Sequence, residues 1–299
     1  MKYGLPYKGS KNKLAERIVS LLPKRTHLID LFCGGCAVSH AALLRNKYDH
    51  IHINDINWMC PTLFIDALNG KYQNETRWIS REDFFRLKDT DPYVAVVWSF
   101  GNNLRDYLYS KEIEPLKKAI HYAIFFRDYS LGKDLGYDLS FIEPISDIQR
   151  RYAAVKRYFS QFGHFQQQSF EGAESSILQI TEAYSRKNQT GECGKMEHKS
   201  HLSKKNTNAQ ANFNQEKAAT ALHRLQYRER QLSMPRNSGG AISNITSSVL
   251  DYQQVTIPDD SVIYCDIPYE GTEGYLEIDS GGFDYERFYD WCEHQTQPV

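Results

Sequence analysis

Along the first third of the chain, apolar and polar positions change rhythm several times. In "NKLAERIVSLLP", Leu14, Ile18, Leu21 and Leu22 recur at helical spacing and Pro23 ends the run. "THLIDLF" (Thr26 to Phe32) is a short apolar run that leads into Gly34-Gly35, after which "AVSHAALLRNKY" reads as a helix. In "HIHINDIN" (His50 to Asn57), His50, His52 and Asn54 alternate with Ile51 and Ile53, the period of a strand. "MCPTLFIDALNGKY" returns to a helical pattern closed by Gly70. Strand, glycine turn, helix and strand within about 30 residues make a βαβ unit, the building block of parallel sheets.

Residues 73 to 185 read as mostly helical, rich in aromatics and without βαβ rhythm. From Arg186 to Gln215 the chain is polar and nearly free of large apolar residues, the composition of a flexible insert. "EKAATALHRLQYRERQL" then resumes as a basic helix that carries Arg224 and Arg228. Between Arg186 and Arg236 there are eleven Lys/Arg against four Glu. Two readings of that surplus stand side by side, a solvated face and a polyanion contact. After Gly239-Gly240 strands return in "SNITSSVLDY" and "SVIYCDIPY", and "FDYERFYDWCEHQ" forms a helix with Phe283, Phe288 and Trp291 inward. The predicted class is α/β. Residues 1–72 and 241–299 make up one discontinuous domain, and a mostly helical unit spans 73–240 with its flexible part at about 186–215.

Composition narrows the setting more than the function. The 299 residues are 41% hydrophobic and 24% charged with a net charge of -1, so the molecule as a whole points to no partner. Of six cysteines only Cys33 and Cys36 form a CxxC, and no second pair completes a metal-ligand set. No signal peptide precedes them, and no run approaches the roughly 20 apolar residues of a membrane helix. These features describe a reduced, cytoplasmic protein with no membrane segment and no metal.

The candidate chemistry lies at strand ends. In "LIDLFCGGCAV" the glycines let backbone approach a ligand closely, and the following helix offers free N–H groups. Asp55 ends the second strand twenty-one residues past Gly34, where α/β folds that bind nucleosides place a ribose-binding acid. The alternative is a helix N-cap. The spacing is not GxGxxG, so a nucleoside without a pyrophosphate fits better than a dinucleotide. In Asp266-Ile267-Pro268-Tyr269, proline stops the strand and stiffens the turn. It leaves a carboxylate at the sheet's carboxyl edge. That carboxylate and a neighbouring C=O can accept both protons of an exocyclic amine, with the tyrosine face available to a base.

In order, "PYKGSKNKL", "DLFCGG", "NDIN", the polar insert, "VLDY" and "DIPY" resemble the Dam-like DNA adenine-N6 methyltransferases, the D12 class including its phage-encoded members. The likeness covers essentially the whole chain, loosely through the insert. It implies a Rossmann-like sheet that binds S-adenosylmethionine, with a helical target-recognition insert acting on double-stranded DNA. Tyr7 and Lys11 help hold the cofactor, Asp30, Phe32, Cys33 and Gly34 surround its methionine moiety, and Asp55 takes the ribose. Asp251 accepts from the cofactor's adenine amine, with Tyr252 beside it. Asp266 and the C=O of Ile267 accept from the target N6, Pro268 locks the turn, and Tyr269 stacks on the flipped base. "WSFGNN" matches the family's DNA-contact loop and makes Asn102 and Asn103 candidates, joined by Arg224 and Arg228. For Asn102 and Asn103 the alternative is a Gly-Asn turn that ends a helix.

Two departures from the family accompany these. Ile267 stands where the family has its first proline, which keeps the C=O and loosens the turn. The family's further C-terminal strands are absent before Val299. The expectation is therefore a truncated monomer, a sheet closed in another way, or a second polypeptide that completes it. Rival readings are a non-catalytic DNA-binding remnant, a methyltransferase of cytosine N4 or of an RNA amine, and a nicotinamide dehydrogenase. The family resemblance suggests a short adenine-containing palindrome such as GATC as target.

Overall fold

The apolar runs after Thr26 and Asp260 are strands because both sides of them are covered. The computed structural model describes residues 3–160, 244–268 and 283–299. Four parallel strands, β1 (His27–Asp30), β2 (His50–Asn54), β3 (Ile245–Ser248) and β4 (Ser261–Tyr264), pair in the order β3-β2-β1-β4. Leu28 lies opposite Ile51 on one side and Val262 on the other, and Asp30 opposite Ile53 and Tyr264. Strands buried on both faces have no polar face to show, so they read as continuous apolar runs.

Side chains divide between the two faces by strand alternation. Leu28, Ile51, Ile53 and Val262 enter a large core with α1 (Ala15–Leu21), α2 (Ala37–Arg45) and α3 (Met59–Leu68). Ile29, Leu31 and Ile263 enter a smaller one with Tyr252, Val255 and Phe288. The helices predicted from residues 12–72 are therefore present at nearly their expected bounds. Gly70, which follows α3, sits at φ +77°, a conformation that suits glycine.

Residues 73–160 are helical as expected. The helices are α4 (Arg81–Leu87), α5 (Pro92–Val97), α6 (Glu114–Phe126), α7 (Ser130–Asp134) and α8 (Ile148–Ser160). Asp91 caps α5 by accepting from the N–H groups of Tyr93 and Val94 at 3.0 and 3.3 Å, with Pro92 in the first turn. Every residue of α5 is buried, in the same core as the sheet, and that core continues to Tyr109. Packing thus runs across residue 72, the boundary drawn from the loss of βαβ rhythm. A separate cluster begins in α6 with Ile120 and Ile124 and closes on Val155 and Phe159 of α8. Rhythm reports secondary structure and not packing: α6 joins the two clusters, with Phe125 packed against both and His121 against Trp78 and Trp98.

The last helix, α9 (Tyr285–Glu293), covers the second face through Phe288, with Trp291 packed beside it. Beyond it the chain returns to the outer side of β4, where the Pro298 carbonyl accepts from the Ile263 N–H at 2.8 Å. The polar insert, the basic helix with Arg224 and Arg228, and Tyr269 lie outside the described residues. Among the described residues no helix is long and apolar enough to cross a membrane.

Candidate functional site

Strand order places the site. The chain moves outward from β1 to β2 and β3, then reverses to add β4 on β1's other side. At such a reversal the loops leaving the two central strands diverge and open a crevice at their carboxyl ends. Here those loops are Leu31–Cys36 after β1 and Cys265–Pro268 after β4, joined at their base by Leu31 N–H donating to the Tyr264 carbonyl at 3.1 Å.

The loop after β1 is a tight turn. Cys36 N–H donates to the Cys33 carbonyl at 2.6 Å, Gly34 takes φ +44°, and Cys36 is left-handed at φ 57° as it starts α2. The glycines make room for the protein's own N-terminal arm. A Cβ on Gly35 would stand 2.9 Å from the Tyr7 Cβ, and one on Gly4 would stand 2.2 Å from the Gly35 carbonyl oxygen. Leu5 N–H donates to that carbonyl at 2.7 Å, and Gly4 N–H to His40 Nδ1 at 3.0 Å. His40 is fully buried, which pushes its imidazole down to about 3 and keeps it neutral. Nothing in the residue pattern of α2 marked this histidine as the anchor of the arm. Tyr7 is thereby laid against Gly34, and Lys11 is carried to the crevice.

Lys11 Nζ meets Asp266 Oδ2 at 2.6 Å, with both side chains about one-fifth exposed (19% and 23%). Asp30 lies deeper. It accepts from Ser39 Oγ at 2.5 Å through Oδ2, while Oδ1 is buried with no hydrogen-bond partner among the described residues. Burial, with smaller contributions from the Asp266 and Asp55 charges, pushes its carboxyl up to about 7. Asp55 is also raised by burial, against the opposing effect of two backbone donors. Gly34 N–H reaches its Oδ2 at 2.8 Å and Asn57 N–H its Oδ1 at 2.9 Å. So Asp55 shapes the turn before α3 and supports the glycine turn at the same time. Three carboxylates and one ammonium therefore converge where β1, β2 and β4 end. Burial raises both thiols of Cys33 and Cys36, whose sulfurs are 3.5 Å apart.

The remaining expected residues divide. Asp251 caps a short turn by accepting from Gln253 N–H at 3.0 Å and faces solvent beside Arg287, 3.5 Å away. Tyr252 is buried between Phe32, Phe288 and Trp291, and its ring serves the second core. Phe32 likewise packs against Phe283 and Phe288. In "WSFGNN" the asparagines build the loop. Asn102 Nδ2 donates to the Val96 carbonyl at 2.9 Å, Asn103 Nδ2 to Asp106 at 2.7 Å, and Asn103 Oδ1 accepts from the N–H groups of Arg105 and Asp106. Phe100 stands out of that loop, 53% exposed.

This parallel sheet, with its order reversal, its glycine turn and acids at the carboxyl ends, is an α/β Rossmann-like fold consistent with that of methyltransferases. Residues 7–129 match the family described as D12 class N6 adenine-specific DNA methyltransferase. The match bears out the resemblance read from the motifs. It covers the arm, β1, β2 and the helices through α6, and the turn Asp266–Pro268 after β4 lies outside it.

Proposed function

We propose that this protein transfers a methyl group from S-adenosylmethionine to N6 of an adenine flipped out of duplex DNA. The observation that carries the reading is the Lys11–Asp266 pair at the order reversal. It sets a fixed carboxylate beside the glycine turn of a chain whose first 129 residues match that family from Tyr7 onward. When bound, S-adenosylmethionine would supply an electrophilic sulfonium methyl to the amine.

The residues present suit that donor. Asp30 has a buried oxygen in want of a donor, which suits a cationic group. Asp55 is partly exposed and keeps lone pairs beyond its two backbone donors for ribose hydroxyls. Tyr7, Phe32, Cys33 and Gly34 would wall this side, and Asp251 with Tyr252 the adenine side.

At the acceptor turn, Lys11 holds one oxygen of Asp266, which leaves the other to accept one N6 proton while the Ile267 C=O accepts the second. Drawing both N–H bonds to fixed acceptors keeps the nitrogen lone pair out of the ring and directed at the methyl. After transfer, Asp266 takes the extra proton and passes it to water. Positioning and preorganised acceptors supply the rate, and water does not have to reorganise. Pro268 stiffens the turn and Tyr269 supplies the stacking face. The loop holding Asn102 and Asn103 would meet the duplex through Phe100, and Arg224 and Arg228 would meet phosphates. We place the border between the sheet domain and the target-recognition unit within α6, whose residues pack against both clusters.

The test is methylation of mixed-sequence duplex DNA by the full chain with radiolabelled S-adenosylmethionine, followed by mapping of N6-methyladenine. Asp266→Ala should abolish transfer and leave cofactor affinity within about threefold. Turnover retained by that variant sinks the assignment.

A further inference from the structure

One helical turn reaches two separate parts of the site. Asp284 caps α9 by accepting from Arg287 N–H at 2.9 Å. Tyr285, the first helical residue, donates its hydroxyl to the Pro268 carbonyl at 3.0 Å. Arg287 donates from Nε to Gln253 Oε1 at 3.0 Å, and from Nη2 to the same oxygen. Its guanidinium also lies 3.5 Å from Asp251 and over the Tyr252 ring, 5.7 Å from the centroid. Side chains two apart on a helix leave in different directions. Tyr285 therefore holds the acceptor turn while Arg287 holds the 251–254 turn. Phe288, 4% exposed and packed on Tyr252 and Phe32, seats the helix between them.

The acceptor turn has need of such a restraint. At 267 the chain has isoleucine, with no ring to fix φ, although the following proline favours extended backbone there. The Ile267 carbonyl is a proposed acceptor, and its direction depends on how tightly the peptides around it are held. Fixing the next carbonyl, that of Pro268, removes the adjacent freedom.

We infer that Tyr285 is a positioning residue for methyl transfer, and that Arg287 ties it to the cofactor-side turn, so that order in one turn is passed to the other through α9. The inference rests on the methyltransferase reading above. Tyr285 touches no reacting atom. It acts through the backbone of Pro268 on the aim of Ile267 and Asp266.

Tyr285→Phe in the full chain removes one hydroxyl and should fold. It should lower kcat about three- to tenfold, the worth of one such hydrogen bond, with KM for S-adenosylmethionine within about twofold. Hydrogen–deuterium exchange should rise in the peptide 262–268, which includes the Ile267 amide, and stay unchanged in 27–54. Arg287→Met should raise KM for S-adenosylmethionine and also speed exchange in 262–268, an effect at a distance that a purely local contact lacks. Wild-type kcat in Tyr285→Phe, or unchanged exchange at 262–268 in either variant, overturns the inference alone. A wild-type chain that methylates no adenine overturns instead the function on which the role rests.

Discussion

Lys11 Nζ and Asp266 Oδ2 are 2.6 Å apart, which pairs the N-terminal arm with the residue that leaves β4. The family resemblance implied cofactor binding for Lys11; the fold sets it beside the Asp266 carboxylate, the proposed acceptor. An ammonium there fixes the carboxylate's direction and offsets the cost of bringing it partly out of water.

Removing that ammonium should therefore harm turnover more than cofactor binding. Lys11→Ala is expected to lower kcat by roughly 5- to 30-fold, about 1–2 kcal/mol, because the pair is partly screened by solvent. Lys11→Arg should recover part of the loss. Steady-state kinetics decide the matter: a raised KM for S-adenosylmethionine at unchanged kcat would return Lys11 to the cofactor.

Asp30 makes stability depend on pH in a stated direction. Its carboxyl moves from 3.8 to about 7 on folding. Below about pH 4 it is protonated in both folded and unfolded chains and has no effect. Between about 4 and 7 the unfolded chain gives up the proton while the folded chain keeps it, so the folded state binds more protons and stability falls as pH rises. Asp30→Asn keeps an acceptor for Ser39 and removes the charge. Urea unfolding without cofactor should show the variant more stable than wild type at pH 8 by up to about 4 kcal/mol, with little difference at pH 4. An equal difference at both pH values would refute the assignment.

The same carboxyl should tune cofactor affinity. A cationic ligand group beside the unpartnered Oδ1 needs the ionised form, so affinity for S-adenosylmethionine should weaken by up to about tenfold per unit as pH falls below 7. Calorimetry in two buffers of different ionisation heat would detect the proton released on binding near pH 7. The absence of any release excludes Asp30 from that role.

The arm depends on Gly4 as much as on the glycines after β1. At φ +69°, with the Gly35 carbonyl 2.2 Å from any added Cβ and Ala37 backbone atoms at 2.7 and 2.8 Å, Gly4→Ala must move the arm. We expect a loss of about 3 kcal/mol or more. Gly101→Ala is the control: its φ is +60° but nothing lies within 4 Å of the added carbon, so the cost should stay near 1–2 kcal/mol, about the strain alone. Equal losses in thermal unfolding would contradict the close approach.

The helical cluster beyond residue 116 hangs on a buried arginine. Arg151 donates to the carbonyls of Ile145 at 2.6 Å, Ile124 at 2.6 Å and Ser146 at 3.1 Å. Arg151→Met leaves those carbonyls short of donors and should destabilise the cluster by about 2–4 kcal/mol. Lysine lacks the planar fork and should rescue little. Limited proteolysis should report the change at 124–151 before the sheet is cut, and simultaneous cleavage of both would show that the two cores are one cooperative unit.

Much of the sheet half was legible from local pattern. Period-2 alternation in "HIHIN" and helical spacing in "AERIVSL" are properties of neighbouring residues, and both elements occur where the pattern put them. The carboxylates were legible because strand ends followed by Gly or Pro keep the same place in any parallel sheet. The bonds of Asn102 and Asn103 were not, since one residue pattern serves both a base contact and a loop that bonds to itself, and it does not name the Val96 and Asp106 partners that the structure shows. The aromatic run around Trp98 looked like part of a separate helical unit, yet Trp98 is fully buried in the sheet's core, because burial depends on what packs against a segment as well as on its own period.

By itself the sequence determined the α/β class, the βαβ unit, the glycine turn and the acids at its strand ends, since each is a matter of near neighbours and backbone sterics. Tertiary structure alone decided that β4 lies beside β1, that Lys11 pairs with Asp266, and that Tyr285 and Arg287 reach back to two turns of the site. Those contacts join residues distant along the chain. They form only when the order of the strands closes the sheet and brings the carboxyl ends of β1 and β4 together.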